Sequence, residues 1–113
     1  MASEIIVNQV VTTSGFTPAF AADSFSSITA NVMLSAVGGT TPSFVFQLQS
    51  CPDNTSQNWF PVGAPSSALT ANGGTTLTSG GADSFDGVLA RVAYTVTGTT
   101  PTANIEIWMD GKP

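Results

Sequence analysis

The sequence predicts an all-β domain, a single antiparallel β-sandwich of jelly-roll or Ig-like kind with very low helix content. Three observations predict it. Apolar residues recur with period two in short runs, and no segment sustains a helical period. Pro and Gly return at intervals too short for a long helix. A phrase occurs twice: Val37-Gly38-Gly39-Thr40-Thr41-Pro42 and Val96-Thr97-Gly98-Thr99-Thr100-Pro101, each between two β-type runs. Short strands bounded by regular turn signals are the signature of a sandwich. Each copy of the phrase is therefore expected to be the turn of a strand–turn–strand unit.

Glu4 to Thr13, with Ile5-Ile6-Val7 and Val10-Val11-Thr12-Thr13, reads as a β-branched first strand, an edge or an arm. Ser14 to Phe25 carries Phe16, Phe20 and Phe25 among small residues, and Pro18 keeps it out of a central strand. Residues 1–25 are thus expected to form a strand and extended arm, packed on the domain or on a neighbour, and 26–113 the sandwich body. Ile28, Ala30, Val32, Leu34 and Ala36 share one face of an alternating strand. Phe44, Phe46 and Leu48 share one face of the next. Cys51 to Asn58 is a turn-rich loop, and Trp59 to Val62 a short strand whose Pro61 favours an edge or a strand end. Ala64 to Gly74 is loop with a short β stretch at Ala68-Leu69-Thr70. Thr75 to Thr78 is a short strand, and Gly80 to Ser84 another loop. Val88, Ala90, Val92, Tyr94 and Val96 form one face of a further strand, and Ala103, Ile105, Ile107 and Met109 one face of the last. Aligned on the repeated phrase, the two preceding strands fall one residue out of step. A one-residue slip reverses every side chain, so either one strand carries a bulge or the likeness is convergent turn chemistry.

Composition narrows the role. The chain has 113 residues, 42% hydrophobic and 8% charged, with a formal net charge of −5. Charge is replaced by Ser, Thr, Asn and Gly, which suits a neutral polar surface or one buried in an assembly. Arg91 and Lys112 are the two cations, too few for a basic stripe, so direct nucleic-acid binding and attraction to anionic membranes are not expected. The sequence offers neither a signal peptide nor a span-length apolar run. Cys51 is alone, which excludes an internal disulfide and favours folding in a reducing cytoplasm; it reads as a half-buried residue at a strand end.

Catalysis finds little to work with. There is no histidine, which removes the usual serine triads, histidine zinc sites and a base for Cys51. Gly73-Gly74 and Gly80-Gly81 lack the lysine and spacing of a phosphate loop and read as turns. Asp83 and Asp86, with Asp53, are loop acids; a glycosidase pair would need a cleft, and calcium ligation would need a ligand pattern that is absent. The chain is not expected to be an enzyme, and no metal or cofactor is expected. Trp59, Trp108 and Tyr94 admit a sugar-binding platform, but core or interface packing is the simpler reading, with Trp59 capping the core. Asn54-Thr55-Ser56 matches a glycosylation sequon and carries no weight without a secretory route.

The order of these phrases resembles a family. An alternating strand, the Val-Gly-Gly-Thr-Thr-Pro phrase, an aromatic strand, Ser50-Cys51-Pro52-Asp53-Asn54 and Trp59 are followed by Phe85-Asp86-Gly87, Arg91-Val92-Ala93-Tyr94 and the second Gly-Thr-Thr-Pro phrase. From Ile28 to Met109 the chain resembles small structural proteins of tailed-bacteriophage virions, often described as capsid decoration (cement) or minor capsid proteins. Cys51 and the longer Asn54–Asn58 loop depart from the pattern. The resemblance implies a virion location after synthesis in the host cytoplasm, and contact with the major capsid protein or other virion proteins. It also implies a mechanical role in stabilising the capsid. A tail, neck or fibre-associated protein is the first alternative, and a carbohydrate-binding or adhesion module the second. Expected contact residues are Phe16, Phe20 and Phe25 of the arm, Trp108, and the phrase Gly38, Gly39, Thr40, Thr41 and Pro42. Self-association is allowed, a trimer suiting a threefold capsid position.

Overall fold

The structure, a computed structural model, describes residues 3–22, 25–52, 58–79 and 88–112. The loop acids Asp53, Asp83 and Asp86, the sequon at Asn54, the Gly80-Gly81 turn and the Phe85-Asp86-Gly87 stretch lie outside the described residues. Seven strands form one antiparallel sheet, and the described residues contain no helix. The strands are β1 (Ser3–Val11), β2 (Gly15–Phe16), β3 (Phe20–Ala21), β4 (Ser27–Cys51), β5 (Phe60–Pro61), β6 (Gly73–Thr78) and β7 (Leu89–Lys112). The main path runs β1-β7-β4-β5; β2 and β3 also pair with β7, and β6 with β4.

The repeated phrase does not do what the sequence led us to expect. Neither copy is a hairpin turn. β4 runs without a break through Gly38–Pro42, and β7 runs through Gly98–Pro101. The two strands pair with each other from Ser27↔Lys112 to Cys51↔Leu89. The two copies therefore meet in the middle of one long ribbon, with Thr40 opposite Thr99. A straight strand of 25 residues would reach about 80 Å at a rise of about 3.3 Å per residue. The longest dimension of the molecule is 40 Å, so the ribbon has to fold back on itself.

Three register shifts make the fold-back, between Ser35 and Gly38, Gly38 and Thr40, and Thr40 and Ser43. The first and third insert an extra residue in β4, the second one in β7. Each holds one of the three non-glycine residues with positive φ: Ala36 (52°), Thr100 (47°) and Thr41 (48°). An extra residue in one strand of an antiparallel pair bends that strand and sharpens its twist. The Thr41 and Thr100 bulges occupy matching places in the two copies. The Ala36 bulge has no counterpart, and it accounts for the one-residue slip between the strands that precede the phrases. Ala36, expected on the buried face, is exposed for the same reason.

An L-residue in the left-handed region costs roughly 1–2 kcal/mol, and glycine avoids that cost at the expense of about 0.4–1 kcal/mol of unfolded-state entropy. Ala36→Gly is accordingly expected to raise stability by about 0.5 kcal/mol, measured as a shift of the urea midpoint at unchanged slope. A clear loss of stability would show that Ala36 carries no backbone strain.

The even-numbered residues of β4 face inward on both sides of the bend: Ile28, Ala30, Val32 and Leu34, then Phe44, Phe46 and Leu48. On β7 the inward residues are Ala90, Val92 and Tyr94, then, with the parity reversed across the Thr100 bulge, Ala103, Ile105, Ile107 and Met109. With Val11, Ala22 and Leu77 they form a single buried cluster. The segment assigned to an arm is built into the sheet: β1, β2 and β3 all pair with β7, and Val11 and Ala22 belong to the core. Cys51, expected to be half-buried, is fully buried at the end of β4.

The abundance of Ser and Thr has a structural use. The short flanking segments cannot supply complete ladders, and a buried backbone N–H must still find an acceptor. Four hydroxyls fill the gaps, three of them at buried or part-buried N–H groups and one, Ser14, at an exposed one. Ser14 Oγ accepts from Val96 N at 2.8 Å, Thr17 Oγ1 from Val92 N at 2.9 Å, Ser66 Oγ from Phe46 N at 2.9 Å and Ser79 Oγ from Ile28 N at 3.0 Å. In three of these four the same residue's own N–H donates back to the strand: Thr17 to Val92 O, Ser66 to Phe46 O and Ser79 to Ile28 O. Leu69 adds an isolated bridge to Phe44, in the stretch that read as a short strand.

Candidate contact surface

Strand alternation decides which side chains can meet a partner. Beyond the bend, Ala90, Val92 and Tyr94 point inward, so Arg91 and Ala93 point out. Register sets Gln49 beside Arg91, Gln47 beside Ala93 and Phe16 on the other flank of Ala93. Pro61 of β5 pairs with Gln49 and brings Trp59 to the same outer face.

These residues converge on Arg91. Its guanidinium carbon lies 3.7 Å from the Phe16 ring centroid and 4.1 Å from that of Trp59. Phe16 arrives from the strand on one side of β7, and Trp59 from across β4 on the other, so the two rings bracket the cation. Arg91 Nε donates to Gln49 Oε1 at 2.7 Å. Gln47, one row along, donates through Nε2 to Leu48 O at 2.9 Å and Val62 O at 3.1 Å, which ties the segment after β5 to the same face. A cation over an aromatic face is worth about 0.5–1 kcal/mol at an exposed site and about 2 when desolvated. Burial under the rings lowers the guanidinium pKa from its ordinary value, while the nearby Cys51 acts in the opposite direction. Arginine starts so high that it keeps its charge throughout the physiological range.

The expected contact residues fall in several places. Phe16 is 55% exposed even while it covers Arg91. Phe20 and Phe25 are partly buried against the core. The Phe25 ring lies on the backbone of Gly111 and fills the space a side chain would need there. Trp108 is half-buried on the outer face of the half before the bend, where Nε1 donates to Glu106 Oε1 at 2.6 Å. Gly39, Thr40 and Thr41 are exposed at the bend itself. Phe16, Phe20 and Phe25 thus do not act as one group, and neither Trp108 nor the bend joins Phe16.

Trp59 does not cap the core but stacks on Arg91. Tyr94 faces inward, and Trp59 and Trp108 lie on the outer faces of different halves of the sheet, so the three do not make one platform. Of the other strongly exposed apolar strand residues, Val10 and Met33 sit diagonally across Asn104 and Glu106 and Phe60 lies on β5 opposite Ser50, so they do not make one patch. Among the described residues no three metal-ligating side chains cluster. The sequence reading missed Arg91 and its link to Trp59. The available signal was a lone cation at an outward position of an otherwise small and apolar strand. No protein-family model, no curated protein and no solved structure matches the chain.

Proposed function

We propose that this chain is a non-enzymatic structural protein of a tailed-phage virion, a capsid decoration (cement) protein that binds the outer capsid surface and stabilises it. In this reading the sheet, folded over at its bend, is a β-sandwich of jelly-roll or Ig-like kind, and its partner is the major capsid protein or another virion protein. The observation that carries the reading is the Phe16–Arg91–Trp59 stack displayed on an outer strand face. Aromatic and arginine side chains held together at a surface are the chemistry of protein contacts, in which a few such residues supply most of the binding energy. Phe20 and Phe25 are occupied within the chain, so Phe16 is the phenylalanine of the N-terminal segment available to a neighbour. Many equivalent sites on a particle would multiply a modest contact of this size through avidity.

Quantitative mass spectrometry of purified particles tests this. A decoration protein is expected at copies comparable to the major capsid protein. A few copies per particle would move the chain to the tail or neck. Absence from particles would overturn both virion readings and direct attention to glycan binding.

A further inference from the structure

We infer that the Phe16–Arg91–Trp59 stack is a carboxylate-binding contact that takes an aspartate or glutamate side chain of a partner protein. The inference deepens the virion reading and rests on it for the identity of the partner, though not for the chemistry of the contact.

The state of the guanidinium is the first argument. The guanidinium carbon lies over two rings, 3.7 Å from the Phe16 centroid and 4.1 Å from that of Trp59, and Nε is engaged by Gln49. Among the described residues Gln49 is its one hydrogen-bond partner, and none of them places an acceptor on the Nη edge. That edge is a planar pair of donors spaced to match the two oxygens of a carboxylate. A long surface side chain ordinarily loses rotamer entropy when it binds; here the stacking has already fixed it.

Charge complementarity is the second argument. The chain has two cations and a net charge of −5, so Arg91 is an isolated positive point on an acidic protein. Such a point can take one anionic side chain. It cannot hold a polyanion, because the remaining charge would repel the neighbouring phosphates. The setting is the third. Phe16 presents exposed apolar surface directly beside the charge, and an apolar surround that excludes water is what makes a contact charge pair count.

The test is a titration followed by NMR on the Trp59 indole and Gln49 side-chain N–H signals, which flank the site in wild type and variants alike, using a blocked aspartate dipeptide as probe. Its asparagine counterpart and inorganic phosphate serve as comparisons. The aspartate probe is expected to give a saturable shift, and the asparagine probe binding about tenfold weaker, the scale of one charge-assisted bidentate pair. Arg91→Lys keeps the cation over the rings but loses the fork, and should fall to the level of the asparagine probe with an unchanged circular dichroism spectrum. Arg91→Gln serves the same purpose if the lysine variant is unstable. No shift with the aspartate probe, equal binding of both dipeptides, or wild-type affinity in a folded Arg91→Lys protein would each overturn the contact. Phosphate binding well above the aspartate probe would also overturn it, in favour of a phosphoryl ligand.

Particle copy number separates this inference from the reading it deepens. Loss of Arg91→Lys from particles that retain the wild type supports both. Equal abundance of the two overturns the carboxylate contact alone. Absence of the wild type overturns the virion reading, and the titration then decides the contact by itself.

Discussion

Replacing Gly98 with alanine is expected to cost about 3 kcal/mol or more, and Gly39→Ala about the same. Both glycines sit at positive φ, +118° and +100°. An added Cβ at Gly98 would lie 2.7 Å from the Thr41 carbonyl oxygen and 3.0 Å from Pro42 Cα. At Gly39 it would lie 2.5 Å from the Thr100 carbonyl oxygen and 2.9 Å from Pro101 Cα. The obstructing atoms are backbone in every case, so no rotamer change can relieve them. Each glycine faces the Thr-Pro step of the opposite copy, which means one substitution pushes on the bulge of the other strand. The loss is a large share of the roughly 5–15 kcal/mol that holds a typical domain together. Denaturant unfolding checks it against Gly73→Ala as a control, where the new Cβ meets nothing within 4 Å and the change should be within about 0.5 kcal/mol. Equal midpoints for Gly98→Ala and Gly73→Ala would show that the bend tolerates side chains and that the paired phrases do not fix it.

Phe46→Ala is expected to cost about 3–5 kcal/mol, the range for emptying a phenylalanine site in a packed core. Phe46 is completely buried and sits beyond the bend among Phe44, Leu48 and Val92. Its backbone is held on one side by Tyr94 of β7 and on the other by Ser66, so the strand cannot easily move in to close the cavity. Phe16→Ala is the matched comparison. Phe16 is largely exposed, and its loss removes one stacking contact worth under about 1 kcal/mol. Thermal or urea unfolding of the two variants should therefore differ severalfold in effect. A Phe46→Ala protein as stable as Phe16→Ala would mean that the inward face of this half is not tightly packed.

The inward faces of β4 and β7 were legible because period two depends on local geometry alone, and the alternation of Ile28 to Leu34, Phe44 to Leu48, Ala90 to Tyr94 and Ala103 to Met109 carries straight into the core. The role of the repeated phrase was not legible. Gly followed by Thr-Thr-Pro satisfies a tight turn and a bulged bend equally well, since both need positive φ next to a restricted residue. Only the partner distinguishes them, and here the partner of each phrase is the other phrase, about 60 residues away in the chain. The slip between the strands preceding the phrases did contain the Ala36 bulge, as one of two options. The contact surface was hidden for a related reason. Phe16, Trp59 and Arg91 are far apart in sequence, and only register on both sides of β7 and β4 brings them to neighbouring rows of one face.

The long ribbon also dictates how the chain must acquire its shape. Its nearest pair, Cys51 with Leu89, is separated by 38 residues, and its farthest, Ser27 with Lys112, by 85. No part of it is a hairpin that could form locally, so the first contact has to close a large loop before any pairing rewards it. Closing at the Cys51–Leu89 end is favoured by about 0.7 kcal/mol of chain entropy over the far end. Pairing then spreads toward the bend, and the inserted residues at Thr41, Thr100 and Ala36 must be placed correctly before the half that holds β1 and β6 can register. A miscounted bulge there would turn Ile28, Val32 and their neighbours outward. Assembly of this chain is therefore expected to be slow for its size, and placement of the bulges at the exposed threonine-rich bend decides whether the second half registers.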